Sequence, residues 1–177
     1  EITYIASGDY KGYPYSVIVD SGSNPENLNL STTYSYDNNG QIATVTDPEG
    51  NVKSYDYDYM GNLLESTGIF GGNDGSGKTV YEYDYQGRLI VISKYDVFDN
   101  LIKKTANTYN QAGWKIQKEM EYDNGAGGIK TAIKEFGYNG NGKIIELEDA
   151  LDSITHRVYD ERGLVFTKTK GYGTPHA

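Results

Sequence analysis

The sequence predicts an all-β fold of consecutive antiparallel β-hairpins that form a continuous curved or spiralling β-strip. Composition supports this prediction: the 177-residue chain contains 18 Tyr against 4 Phe and 1 Trp, and 22 of its residues are Gly. Tyrosine favours strands, whereas glycine favours turns. A short motif also recurs along the chain, and tyrosines alternate with polar residues in the segments before it.

The recurring motif is a tyrosine followed by Asp or Asn, with a glycine four residues after the tyrosine. Its copies read YDNNGQI, YDYMGNL, YDYQGRL, YNQAGWK, YNGNGKI and YDERGLV. We expect the following residues to be structural repeat positions: Tyr36, Asp37, Gly40, Tyr57, Asp58, Gly61, Tyr83, Asp84, Gly87, Tyr109, Asn110, Gly113, Tyr138, Asn139, Gly142, Tyr159, Asp160 and Gly163.

Each copy of the motif has the chemistry of a hairpin tip. The Asp or Asn side chain can accept a hydrogen bond from the backbone two residues on and so begins a type I turn. Glycine then takes the left-handed conformation that completes a common hairpin loop. Return turns are expected at 46–51, 68–78, 95–100, 121–128 and 148–153. The segment YDVFDNL is a degenerate copy with Asp99 at the glycine position.

Alternation before the tips predicts rows of tyrosines on one face of the sheet. The rows are Tyr34 with Tyr36, Tyr55 with Tyr57 and Tyr59, and Tyr81 with Tyr83 and Tyr85. Cross-strand packing is one interpretation of these rows. Exposed rows that stack on sugars or bind a protein are the other.

The repeat defines a single domain over residues 1–177. Residues 1–31 form a degenerate repeat and a connection, 32–170 hold six hairpins, and 171–177 are a frayed end or the start of another repeat. Both ends fall in the same phase of the pattern, so we hypothesise that the chain is cut from a longer array.

Charge and composition argue against several classes of partner. The net charge of −9 disfavours a nucleic-acid surface, which needs clustered Lys and Arg. The absence of cysteine excludes disulfides and thiol-bound metals. No apolar run is long enough to predict insertion into a membrane.

A formal phosphate-loop pattern, Gly72, Gly77, Lys78 and Thr79, occurs between the second and third tips. A working phosphate loop requires a helix after it, so that backbone N–H groups converge on the phosphates. The residues that follow, TVYEYDYQG, alternate like a strand instead. We therefore expect a loop between hairpins and no nucleotide cofactor.

Other candidate sites are also weak in sequence. The segment DYDYMG resembles the start of a calcium loop, but Met60 and Thr67 stand where oxygen ligands are needed. Weak calcium binding by Asp96 with Asp99 stays open. His156 and His176 have no convincing triad partners. Trp114 follows a tip glycine, where it either packs between hairpins or stacks on a ligand. We expect no catalytic residue, no cofactor and no metal site.

The Y-D-x-x-G-x-[LI] core, with TDPEGN between copies, resembles the YD-repeat family over about residues 32–170. That family includes Rhs proteins, the shells of insecticidal toxin complexes, wall-associated bacterial proteins and teneurins. The resemblance implies a secreted or cell-surface, non-enzymatic scaffold that forms an open segment of a β-sheet shell or fibre. Partners would be other repeats of the same protein or identical subunits, joined through strand edges. The chain is too short to close a shell alone, and an autoproteolytic core is not seen. The alternative function is an adhesin module that binds carbohydrate or protein through exposed tyrosine rows.

Overall fold

The computed structural model describes residues 1–19, 28–69, 76–123, 128–151 and 153–172. These residues form fourteen β-strands. The strands are β1 (Ile2–Tyr4), β2 (Pro14–Val19), β3 (Leu30–Tyr36), β4 (Ile42–Thr46), β5 (Val52–Tyr57), β6 (Leu63–Ile69), β7 (Ser76–Tyr83), β8 (Leu89–Tyr95), β9 (Leu101–Tyr109), β10 (Lys115–Asp123), β11 (Ile129–Tyr138), β12 (Ile144–Glu148), β13 (Ser153–Tyr159) and β14 (Val165–Tyr172). Among the described residues, no helix is long and apolar enough to cross a membrane.

Neighbouring strands hydrogen-bond in chain order from β1 to β14. The prediction of an all-β fold made of consecutive antiparallel hairpins is confirmed. The chain divides into two compact units. Unit 1 contains Glu1–Tyr81 and Lys94–Asn100, and unit 2 contains Glu82–Ser93 and Leu101–Ala177.

In unit 1 the strand register places the tyrosines of β3 and β5 on one face of the sheet. Tyr34 lies opposite Val45, and Tyr55 lies opposite Ser66. We call this side, which also bears the motif tyrosines, the tyrosine face. The other side carries serines and threonines; the hydroxyls of Ser35 and Thr44 are 2.6 Å apart. Cross-strand hydroxyl pairs of this kind stabilise antiparallel sheets.

In unit 2 the tyrosine face bears Tyr109, Tyr138 and Tyr159. Phe136 lies opposite Leu147 on this face, and Leu147 lies opposite Thr155 on the next strand. Strands β9 to β11 are the longest of the chain, and their ladders run without interruption from Gln117 to Asp123 on β10. Long ladders suit the isoleucine, threonine and tyrosine content of these strands.

The described part of the chain has no buried hydrophobic residue. Its buried side chains are polar: Ser16, Ser66, Thr79, Ser93, Asn107, Ser153 and Thr155. A sheet without an apolar core obtains its stability from backbone ladders and from pairs of side chains on neighbouring strands. Each hairpin therefore depends on the hairpins beside it.

Two tyrosines do not lie where the alternation predicts. Tyr59 and Tyr85 are in the tip turns and not on the strands, and each is 92% exposed. The alternation ends at the motif tyrosine because the following Asp already begins the turn. The rows therefore end at Tyr57 and Tyr83, the last residues of β5 and β7.

Candidate functional site: the contacts between successive hairpins

The tip turn is built around the side chain of the motif Asp or Asn. At Asp58, one carboxylate oxygen accepts hydrogen bonds from the backbone N–H groups of Met60 (2.9 Å) and Asn62 (2.8 Å). The N–H of Gly61 donates to the carbonyl of Asp58 at 3.0 Å, which closes the turn. The second carboxylate oxygen accepts from the Asn62 side chain. A single residue thus satisfies the donors of the whole loop.

The same turn recurs at both ends of the strands. The glycines Gly40, Gly61, Gly87, Gly113, Gly142 and Gly163 all have φ between +75° and +89°. At the opposite ends of the strands, in the return turn between β4 and β5, Gly50 has φ +85°, and Asp47 accepts from the N–H groups of Glu49 and Asn51. Asp99, predicted to replace glycine in a degenerate copy, has φ +62°. Asp tolerates this left-handed conformation better than most residues.

Hydrogen bonds to these carboxylates change their titration. The side chains of Asn51 and Asn62 lower the pKa of Asp47 and of Asp58, and backbone N–H groups lower both further. For Asp160, the backbone N–H of Leu164 is the largest cause of a lowered pKa. The ionised form of each carboxylate is therefore the one that the turn prefers.

Each motif tyrosine with a described hydroxyl contact donates a hydrogen bond from that hydroxyl to a backbone carbonyl of the preceding hairpin. Tyr57 donates to the carbonyl of Ile42 at 3.1 Å, and Tyr109 to that of Leu89 at 3.0 Å. Tyr138 donates to Lys115 at 2.6 Å, and Tyr159 to Ile144 at 2.7 Å. In these four cases, and in the bond of 2.8 Å from Tyr36 to the carbonyl of Pro14, the acceptor is the second residue after the preceding glycine. The hydroxyl thus fixes the register of one hairpin on the next.

A register shift explains why these carbonyls need an external donor. Tyr138 lies opposite Ile144, but Gly137 lies opposite Glu146, so Ile145 is an extra residue of a β-bulge. The ladder from β12 to β13 begins only at Glu146. The carbonyl of Ile144 therefore lies beyond the paired part of that ladder, and the hydroxyl of Tyr159 supplies its hydrogen bond. Burial raises the pKa of Tyr138, which donates an equivalent bond.

After Gly40, Gly87, Gly113 and Gly142, the next residue makes a second contact with the following repeat. In unit 2, the Arg88 guanidinium lies 4.8 Å from the centre of the Tyr109 ring, and Lys143 Nζ lies 5.0 Å from that of Tyr159. Lys143 also donates to the carbonyl of Gly163 at 2.6 Å. We call the tyrosine of one repeat, together with the two residues that follow the preceding repeat's glycine, the hairpin clasp.

Trp114 occupies this same position in its clasp. Its ring centroid lies 5.3 Å from that of Tyr138, and a Cβ placed on Gly142 would lie 3.1 Å from its ring. The tip glycine is therefore required twice, for its positive φ and for the space that the neighbouring side chain uses. This geometry corresponds to packing between hairpins, the first of the two interpretations of Trp114.

The clasp is the part of the site that sequence reasoning missed. Its tyrosines and glycines are among the predicted repeat positions, and packing between hairpins is one interpretation of Trp114, but the sequence does not indicate which backbone carbonyl accepts from each tyrosine. The accepting carbonyl always belongs to the second residue after the glycine, and this constant spacing is the feature of the clasp that the sequence contains. Side-chain type at the first residue after the glycine varies, from Gln41 to Arg88 and Trp114, and so gives no motif.

The phosphate-loop pattern lies on a strand where it is described. Thr79 belongs to β7, as predicted from the alternation that follows it, but Gly77 and Lys78, which were expected in the return turn 68–78, also belong to this strand; Gly72 lies outside the described residues. Lys78 Nζ pairs with Asp99 at 2.7 Å and lies 5.4 Å from the centre of the Tyr95 ring. The lysine therefore links two hairpins of unit 1.

The acidic turns and the histidine also have structural contacts. The side chain of Asp96 accepts from Phe98 and Asn100, while Asp99 pairs with Lys78. His156 Nδ1 lies 3.4 Å from a carboxylate oxygen of Glu146. Among the described residues, no group of three or more His, Cys, Asp or Glu residues is placed to hold a metal ion. His176 lies outside the described residues.

Fold and site define a class of protein: a β-repeat protein whose hairpins are joined by a recurring tyrosine clasp. The family model named RHS Repeat matches residues 27–52 and 36–72. Residues 27–72 are thus similar to the YD-repeat (Rhs) family, which the recurring motif also resembles. A comparison with curated proteins finds no match.

Solved structures with a similar fold come from toxin complexes. The crystal structure of TcdB2-TccC3 is 16% identical with a TM-score of 0.52, and the match covers 91% of this chain. The Photorhabdus luminescens Tc holotoxin pore is 17% identical with a TM-score of 0.50 over 90% of this chain. This chain spans only 11% and 10% of those chains. At these identities, the likeness concerns the fold alone.

Proposed function

We propose that this chain is a non-enzymatic structural scaffold. In this proposal it is a segment of a bacterial secreted or cell-surface YD-repeat protein that builds a β-sheet shell or fibre by edge-to-edge packing. The observation that carries the proposal is the clasp, because the most regular side-chain contacts of the molecule serve to join one hairpin to the next. The motif residues are then structural positions of one repeat domain over 1–177.

The lack of a buried apolar core among the described residues supports assembly. In repeat proteins, stability is approximately a sum of terms within repeats and between neighbouring repeats, so terminal repeats lack part of it. Strands β1 and β14 each have a single neighbour in the strand order. An exposed strand edge is a template for pairing with another strand. Further repeats of the same protein, or identical subunits, are the proposed partners at these two edges.

Analytical ultracentrifugation at several concentrations tests the assembly part of the proposal. We expect the weight-average mass of the chain to increase with concentration. Thr167→Lys with Thr169→Lys adds charge to the edge strand β14 and should reduce this increase. Thr108→Lys with Thr131→Lys adds the same charge at exposed positions of interior strands and should leave it unchanged. A concentration-independent, compact wild-type monomer would contradict edge-to-edge assembly.

A second candidate function is recognition of glycans or proteins, as in an adhesin. The favouring observation is the exposure of Tyr59 and Tyr85, whose rings project from two tips. The tyrosines of the rows are less suited to this role, because they are half-buried and Tyr57 uses its hydroxyl within the clasp. A glycan array with Tyr59→Ala and Tyr85→Ala tests it. Binding that persists in both variants, or no binding by the wild type, would argue against recognition through the tips.

A further inference from the structure

The two faces of unit 2 carry opposite charge. On β9 to β14, the tyrosine face bears Lys103, Lys118, Lys130, Lys134, Arg157, Lys168 and Lys170. The opposite face bears Glu119, Glu121, Glu135, Glu146 and Glu148. Among the described residues of these strands, no carboxylate shares the tyrosine face. A protein with a net charge of −9 therefore presents a basic surface here.

This basic surface is maintained at an energetic cost. Lys118 lies directly opposite Lys134, and Arg157 lies directly opposite Lys168. Like charges directly opposite on neighbouring strands are destabilising. Asp149, in the turn between β12 and β13, is an acidic group that interacts electrostatically with two of these cations. After the backbone N–H of Leu151, Lys170 and Lys134 contribute to the lowered pKa of Asp149.

Apolar side chains lie between these cations. Met120 lies opposite Ala132, and Phe136 lies opposite Leu147, in the rows on either side of the Lys118–Lys134 pair. Each of these side chains is half-buried. A ligand that covers the surface would therefore meet alternating rows of positive charge and hydrocarbon.

We infer that the tyrosine face of unit 2 binds an acidic polypeptide segment in which Asp or Glu residues alternate with apolar residues. Carboxylates of the segment pair with Lys118, Lys134 and Lys168, and its apolar side chains pack between those rows. Such a partner offsets the repulsion between the opposed cations, and it buries the hydrocarbon that the sheet leaves half-covered. The inference does not depend on whether the chain assembles through its strand edges.

Two other occupants suit the surface less well. An acidic polysaccharide would use aromatic rings for stacking, but Tyr109, Tyr138 and Tyr159 are half-buried and engaged in clasps, which leaves Tyr122 as the exposed ring among the described tyrosines of this face. A second copy would have to present its glutamate face. On that face, Glu146 already faces His156, and Glu135 accepts from Gln117 at 3.1 Å.

Fluorescence anisotropy measures the binding with a labelled peptide of repeated Glu-Phe-Asp-Leu units. The full chain should bind this peptide, and added salt should weaken the binding because the Debye length falls. Lys118→Gln, Lys134→Gln and Lys168→Gln together should raise Kd by roughly tenfold. The matched triple variant, Lys11→Gln, Lys53→Gln and Lys104→Gln, changes the net charge equally without touching the basic surface. It should raise Kd by less than about twofold.

A second readout separates binding from stability. Lys134→Gln removes a like-charge pair and should raise the urea midpoint of unfolding while it weakens peptide binding. A purely structural role for these lysines would leave peptide binding unchanged. The proposal would be overturned if the two triple variants lost peptide affinity equally. It would also be overturned if the wild type did not bind the peptide at low salt, or if it bound a sulfated oligosaccharide more tightly. Stacking of copies in place of peptide binding, seen by ultracentrifugation, would also overturn it.

Discussion

Units 1 and 2 use the same tip and the same tyrosine hydrogen bond but differ in the side chain after the glycine. In unit 1, Gln41 Nε2 donates to the carbonyl of Gly61 at 3.2 Å, and Tyr13, directly after Gly12, lies edge-on to Tyr36 with ring centroids 4.9 Å apart. In unit 2, Arg88, Trp114 and Lys143 place a cation or an indole against the next tyrosine ring. The invariant part of the clasp sets the geometry, because it involves a backbone acceptor. The variable part determines how strongly one hairpin holds the next.

The same contrast extends to the faces of the two units. On the described strands of unit 1 up to β6, Lys53 is the cation that the register places on the tyrosine face, opposite Val45. In unit 2, that face carries a dense set of lysines and Arg157. Charge can differ this much because the clasp constrains only a few positions per repeat. A repeat therefore fixes the architecture and leaves the surface chemistry free.

The largest expected effect comes from filling the space beneath Trp114. Gly142→Ala combines a positive φ of +75° with a Cβ 3.1 Å from the indole, and should cost about 2 kcal/mol of unfolding free energy. Gly87→Ala has the same φ with no heavy atom within 4 Å, and should cost about 1 kcal/mol. Urea denaturation measures both.

Gly61→Ala is the corresponding change in unit 1. The flexible Gln41 amide lies 3.4 Å from the new Cβ and can move away, so this variant should resemble Gly87→Ala. If Gly61→Ala and Gly142→Ala proved equally costly, the units would not differ in the strength of the clasp.

Sequence alone predicts the tips well and the clasps poorly. Asp58 and Gly61 define their turn locally, through a side chain that bonds its own backbone and a residue that tolerates positive φ. The hydrogen bond from Tyr57 to Ile42 depends on which strands become neighbours and on a bulge that no local pattern marks. The positions of Tyr59 and Tyr85 were wrong for a related reason, since the turn interrupts the alternation that was used to place them.

Removing a clasp hydroxyl should have a similar effect in either unit. Tyr138→Phe in unit 2 and Tyr57→Phe in unit 1 each leave a backbone carbonyl without its donor, at a cost of about 1 kcal/mol. Tyr59→Phe is the control, because its exposed hydroxyl belongs to no clasp. Hydrogen exchange of the flanking strands measures the local loss. A much larger loss in one unit would show that the tyrosine bond is not the shared part of the clasp.

Acid should affect turns built on Asp and turns built on Asn differently. The lowered pKa of Asp47 and of Asp58 means that their contribution to stability is complete above the unfolded value of about 4. That contribution is lost as the pH falls through the folded value. At Asn110 and Asn139 in unit 2, a neutral amide oxygen accepts the equivalent bonds and does not titrate in this range. The NMR amide signals of Glu49 and Met60 should therefore shift below about pH 4, whereas those of Trp114 and Lys143 should not.

The smallest expected effect concerns Asp99, which takes the glycine position of a turn in unit 1 with φ +62°. Asp99→Gly and Asp99→Asn both remove the ion pair with Lys78, so the difference between them isolates the backbone conformation. Asn retains a Cβ in the left-handed region, and Asp99→Gly should be more stable than Asp99→Asn by about 0.5 kcal/mol. Lys78→Gln removes the ion pair without changing the turn and serves as the control. Equal urea midpoints for the Gly and Asn variants would mean that this turn carries no strain.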